Sequence, residues 1–575
     1  MNEKLIEAPG PTGQGRKPLF VATLLPLTLT LIVLSAGLLA SSASADWYFP
    51  TTDLSQDGQN ATDPKVAIGS DGKATVVWLR PNGLGDDIAQ VSTRSGPGSF
   101  SSPLDLSLTG QDAGEPDLAT GPAGVTSVVF TQSDCCNDSI VVRTRPAGST
   151  SFSDAVGPSA SDMTNISPQI VIGPDGTTTV VWVSFDLTFD ITTASRPSGA
   201  GSYYTPQDLV SVAAGNFPKV AVQPNGFATV VWIHDGPFVV RAGTSQVSVP
   251  VPGWSYQDLS QSGENAGFPQ VASGSDGTTA VIWRRWNGVN EVIQAKVRAA
   301  SGSSFSSVEN LSASGQNGGE PGVAVGPDGS VTAVWQSSSG ANTVVQAATR
   351  AAGSTSFGAP IDISQPGGNA SSPQVAIAPD GSTTVVWVRS NGTNDIVQAS
   401  TRAAGSSTFS NPVDLSQPGQ NASQPQVAAT PITPSDPCQP AFSAVWKRSN
   451  GSNTIIQEVS APLPSCTDPD PNPDPVAPSL GKLTIKGPGK ASRNRKATYR
   501  VTVSNTGTGS ATGLNLTAKG KGVKARRSGG TLEAEKSKTL KLPIKFKKRG
   551  NVKVTFTLSS GNAGKKTAKK TVRVR

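Results

Sequence analysis

Residues 373–416 read PQVAIAPDGSTTVVWVRSNGTNDIVQASTRAAGSSTFSNPVDLS. Pro373 opens a short run, QVAIA, that stops at Pro379-Asp380-Gly381. Asp-Gly between two β-rich runs is a hairpin signal, because such a turn needs left-handed backbone that Gly adopts freely. The next run, STTVVWV, is β-branched with one Trp and suits a buried strand. It ends at Asn391-Gly392, a second hairpin signal. DIVQASTR makes a third strand, Ala-Ala-Gly-Ser-Ser a looser turn, and FSNPVDLS a fourth. Gly or Pro about every ten residues, with β-branched residues between, disfavours helix.

The unit repeats. Its opening proline recurs at Pro64, Pro116, Pro168, Pro218, Pro269, Pro321, Pro373 and Pro425. The aromatic of the second strand recurs at Trp78, Phe130, Trp182, Trp232, Trp283, Trp335, Trp387 and Trp446. Eight copies of about 52 residues, each with four strands, predict an all-β fold: an eight-bladed β-propeller over residues 46–466. The repeated Trp and Val residues read as core between blades.

The ends of the array explain its closure. An aromatic precedes the fourth-strand Asp by five residues at Phe100 and Asp105, Tyr203 and Asp208, Phe357 and Asp362, and Phe409 and Asp414. Tyr48 and Asp53 keep that spacing, so residues 48–55 read as a lone fourth strand. The eighth copy lacks one after Val459. The N-terminal strand is expected to fill that gap and to remove the exposed sheet edges.

Residues 1–45 read as an export signal. Arg16 and Lys17 precede an apolar stretch, residues 19–40, and Ala43-Ser44-Ala45 follows as a small-residue cleavage site. The stretch resembles the signals of exported proteins of Gram-positive bacteria. Left uncleaved, it is long enough to act as a membrane anchor. A secreted or envelope-associated protein is expected, in a compartment where disulfides persist. Cys438 falls in an insertion of the last repeat's first hairpin turn, and Cys466 just after its third strand, so a Cys438–Cys466 bridge is expected. It contributes about 3–4 kcal/mol in the chain-entropy picture. Cys135 and Cys136 are adjacent in the second hairpin turn of repeat two.

Residues 467–481 form a Pro- and Asp-rich linker of extended path. Residues 482–575 then change composition sharply: 26 Lys and Arg stand against two acids, Glu533 and Glu535. The whole chain carries +7, so residues 46–481 hold the acidic balance, about −18. The runs KATYRVTVSNTG, GLNLTAKG, TLKLPIKF and NVKVTFTLSS predict a β-sandwich. YRVTVSNTGTGSATGLNLTA resembles bacterial immunoglobulin-like modules of the CARDB-like class, which act as spacers in surface proteins. A basic exported domain with few aromatics points to anionic cell-wall polymer or a membrane surface rather than to nucleic acid.

The ring resembles the sialidase-like propellers, which also repeat an Asp-Gly turn with an aromatic. In their aspartate box the aromatic follows the Asp by about five residues. Here Asp175 precedes Trp182 by seven, so the likeness is to the general architecture. That chemistry needs a Tyr nucleophile with a Glu partner, and Tyr48, Tyr203, Tyr204 and Tyr256 all lie in fourth strands or their approaches. The single His234 rules out multi-histidine metal sites, and no GxSxG elbow accompanies it. No cofactor is expected.

The second hairpin turn departs from Asn-Gly in repeats two to five, and these turns share a face with the linkers between repeats. Asp134, Phe185, Phe189, His234, Arg284, Arg285 and Trp286 are the candidate recognition residues there, since aromatics beside Arg recur at binding surfaces. The expected protein is a monomeric, non-enzymatic binding or structural protein taking a glycan or protein ligand on that face. The alternative is a glycan-active hydrolase of sialidase-like architecture.

Overall fold

A computed structural model describes residues 47–575 except 49, 97–98, 109, 135–136, 160–162, 186–187, 210–214, 235, 237, 264, 340–341, 432–440, 463–479, 506–510, 534–535 and 562. The export signal 1–45, all four cysteines with the expected Cys438–Cys466 bridge, and most of the linker lie outside the described residues. Among the described residues there is no α-helix, and no helix long and apolar enough to cross a membrane.

Residues 47–461 fold as eight small antiparallel sheets, one per repeat. In the seventh, Ala370–Ile377, Thr383–Ser390, Asp395–Arg402 and Val413–Asp414 pair in chain order. Fourth strands are shorter than the sequence suggests: two residues in most repeats. Their anchoring is side-chain work. Gln398 donates Nε2–H to Asp414 (2.7 Å), and Ser416 Oγ accepts the Val397 N–H (2.9 Å). The same hooks join Gln90 to Asp105 and Gln346 to Asp362. Repeat two has Val141 where that Gln would stand, followed by Gly157-Pro158. Its expected fourth strand shrinks to one bridge, Val142 to Val156, leaving three strands.

The N-terminal strand Thr52–Asp53 lies antiparallel to Thr454–Ala461, with Thr52 opposite Glu458 and Asp53 opposite Gln457. Gln457 donates to Asp53 (2.7 Å), and Ser55 Oγ accepts the Ile456 N–H (2.9 Å). These reproduce the hooks of the other repeats. The first strands pack each on the next, and Ala422–Ala429 of the last packs on Thr62–Ile68 of the first. The repeated aromatics fill the spaces between sheets: Trp78, Trp232, Trp283, Trp335, Trp387 and Trp446 are fully buried. Each such ring removes a large apolar area from water, which is the main stabilising term here.

Residues 480–575 have a separate core. Thr484–Lys486, Lys496–Ser504 and Ser537–Lys545 form one sheet. Lys490–Ala491, Lys565–Val574, Gly550–Ser559, Ala511–Gly520 and Val523–Leu532 form the other. Strict alternation, as in Lys496–Ser504, sends Tyr499, Val501 and Val503 inward and Lys496 and Arg500 outward. Tyr499, Phe546 and Phe556 meet in that core, and the Tyr499 hydroxyl donates to the Pro488 carbonyl (2.9 Å).

Candidate binding site at the ring axis

Each first strand breaks register at the residue before its proline. Proline has no N–H to give the ladder, so the strand takes up an extra residue there as a bulge. The bulge residues are Asp63, Glu115, Ser167, Phe217, Phe268, Glu320, Ser372 and Gln424, all with φ between 47° and 57°. Non-glycine residues seldom adopt positive φ. Eight occurrences at one repeat position make the conformation a property of the scaffold.

The first strands surround the axis, so the bulge column faces it. A cavity of about 330 Å³ touches five of the eight strands and is lined by Asp63, Phe268, Glu320, Ser372 and Gln424 together with Lys65. Neighbouring bulges bond to one another. Gln424 donates to the Asp63 carboxylate (2.6 Å) and its carbonyl accepts the Asp63 N–H (3.1 Å). The Ser167 and Ser372 N–H groups donate to Glu115 and Glu320. The exception is the aromatic pair: Phe217 and Phe268 hold their rings 5.6 Å apart, and both are exposed.

Deeper in, the column two residues on carries charge. Lys219 donates to Gln169 (3.0 Å), and Asp117 accepts the Ile170 N–H (3.2 Å). Burial raises the Asp117 pKa, opposed by Lys65 and Lys219. Burial and the like charge of Lys65 bring Lys219 down to about 8, opposed by Asp117 and Glu115.

The seven residues singled out from the sequence make the following contacts. Phe185 and Phe189 face each other across their hairpin, ring centroids 4.6 Å apart. Asp134 is exposed and accepts the Asn137 N–H within its own turn (3.2 Å). His234 is half-buried opposite Val239. Arg285 and Trp286 stand near the end of Thr279–Trp286, with Trp286 exposed. Arg284 reaches the axis. Its guanidinium lies over the Phe268 ring, 4.5 Å from the centroid, and pairs with Glu291 at 3.5 Å. The sequence reading missed the axial column. Its signal was available: the residue before each repeat proline varies while the proline does not.

Among the described residues, no group of three or more His, Cys, Asp or Glu is placed to hold a metal ion.

No family matches the sequence, and no curated protein does. Among solved structures, residues amounting to 17% of the chain are similar to the CARDB domain of a Pyrococcus furiosus protein, at 22% identity over 90% of that chain and a TM-score of 0.15. A polysaccharide lyase, a PL25 ulvan lyase, is similar over 58% of this chain and 89% of its own, at 8% identity and a TM-score of 0.40. A microbial sialidase is similar over 48% of this chain and 63% of its own, at 10% identity and a TM-score of 0.33. Each of these scores is below 0.5.

Proposed function

We propose that the eight sheets make an eight-bladed β-propeller that serves, without catalysis, as the recognition module of an exported, envelope-associated protein. Its ligand meets the axial mouth. The observation that carries this reading is the pair of exposed phenylalanines at the bulge column, Phe217 and Phe268, where the other six positions are polar and mostly bonded to neighbours. Arg284 stacked on Phe268 adds a cation that can meet an anionic or hydroxyl group. An aromatic face beside a guanidinium suits a glycan ring or a peptide aromatic. Phe185 and Phe189 extend the apolar surface on the same side. Residues 482–575, read as an immunoglobulin-like, CARDB-like module, contact anionic cell-wall polymer or a membrane surface.

The test is binding of the full chain to a glycan array, with Phe217→Ala and Phe268→Ala beside the wild type. Loss of the same signals in both variants supports the axial mouth; unchanged signals refute it.

A second reading, a glycan-active hydrolase, draws support from Asp117 and Lys219, whose proton affinities are moved toward each other at the axis. It predicts new reducing ends from an array-positive polysaccharide and their loss in Asp117→Asn. Binding without turnover leaves the recognition reading.

A further inference from the structure

The repeats act as internal controls for one another, and several departures meet at one cleft between repeats four and five. It holds about 400 Å³, within the span of small-molecule sites, about 300–1,000 Å³. It opens beside the first hairpin turns, at the strand ends opposite to the axial phenylalanines.

The buried arginine that ends most third strands bridges to the previous sheet. Arg145 donates to Thr75 and Thr126, and Arg402 to Thr332 and Thr383. Arg298 does the same with Thr229 (2.8 Å) and Thr244 (3.0 Å) and is 6% exposed. Burying a cation is costly unless an opposite charge answers it. For Arg145 that charge is Asp71, and for Arg402 it is Asp328, each from the first hairpin turn of the preceding repeat. At the equivalent place before Arg298 stands Asn225, seven residues before Trp232 as Asp71 is before Trp78. Asn225 keeps the turn bond, its Oδ1 accepting the Phe227 N–H (3.1 Å) as Asp71 accepts that of Lys73. It drops the charge. Burial alone shifts Arg298, downward, with no carboxylate opposing it. No Asp or Glu is among the cleft's described lining residues.

Two aromatics complete the departure. Phe227 replaces the small or polar residue of the other turns, such as Thr177 or Ser382, and is 40% exposed. Tyr256 is 49% exposed on the facing fourth strand Ser255–Asp258. Gln257 and Ser303 add hydrogen-bonding side chains.

We propose that this cleft binds a small carboxylate-bearing, hydroxyl-rich ligand, a sugar acid, whose carboxylate supplies Arg298 with the counter-charge that Asn225 withholds while Tyr256 and Phe227 pack on its ring. This site is separate from the axial mouth and stands whether or not that mouth binds anything.

The test is calorimetric titration of the full chain with sodium glucuronate, with glucose as the neutral arm. Asn225→Asp restores the residue that five other repeats carry, so it keeps the turn and stabilises the ring while cancelling the site. The expected result is glucuronate binding that weakens about tenfold or more in Asn225→Asp and in Tyr256→Ala, and in glucose relative to glucuronate. Absence of wild-type binding at tens of millimolar, equal affinity for glucose, or full binding by Asn225→Asp overturns the proposal.

Discussion

Glu458→Gln is expected to weaken the ring at its seam. Glu458 is 4% exposed on the third strand of the last sheet. It accepts from Ser443 Oγ (2.6 Å) and Ser460 Oγ (2.5 Å), and Arg94 of the first sheet approaches to 3.3 Å. Both side chains of the pair are 5% exposed, so solvent screens it little. Gln matches Glu in shape, so packing survives and only the charge is lost. Arg94 is then buried without an answer, and removing one partner of such a pair costs about 3–5 kcal/mol. The seam has little in reserve, since the N-terminal strand contributes only two ladder pairs. All ten tryptophans lie between Trp47 and Trp446, so tryptophan fluorescence during urea unfolding reads the ring and not the basic domain. The expected result is a midpoint well below the wild type's. Replacing both partners by apolar residues, Arg94→Met with Glu458→Leu, recovers most of the loss, because no charge remains buried. A wild-type midpoint for Glu458→Gln, or a double variant worse than the single, refutes the argument.

Asp53→Ala removes the hook from Gln457 and is expected to cost about 1–3 kcal/mol, matching Asp414→Ala within error if the N-terminal strand is an equivalent fourth strand; the same fluorescence titration compares them. Lys219 has its pKa brought down to about 8 in the folded ring against about 10.4 unfolded. The unfolded chain therefore binds more protons between these values, and stability is expected to rise from about pH 8 toward pH 10 through this residue, a rise that Lys219→Met removes. At +24 across residues 482–575, the chain is expected to bind anionic vesicles or cell-wall polymer at low salt and to be released by roughly 0.5 M salt, where screening is several-fold stronger; salt-insensitive co-sedimentation sinks the anchoring idea.

The repeat was legible because its physical demands are local. An Asp-Gly turn, a β-branched run with one Trp, and a spacing of five between an aromatic and an Asp each specify a short piece of backbone. Eight copies make the pattern readable without contacts. The five-residue spacing at Tyr48 and Asp53 even points to the partner strand more than 400 residues away, because the same Gln–Asp hook recurs in several other sheets. The binding surfaces were less legible. Turn variation drew attention to Asp134, Phe185, Phe189, His234, Arg284, Arg285 and Trp286, and of these Arg284 lies over the ring of the bulge residue Phe268. A turn's sequence says that it is exposed and not what it faces. The bulge before each proline decides which residue of the first strand meets the axis, and a one-residue shift of register exchanges the two faces of a strand. Arg298 and Asn225 lie 73 residues apart in the chain. In sequence they are one more strand-ending arginine and one more turn asparagine. Only the packing of sheet on sheet buries that arginine and turns the absence of a single negative charge into a site.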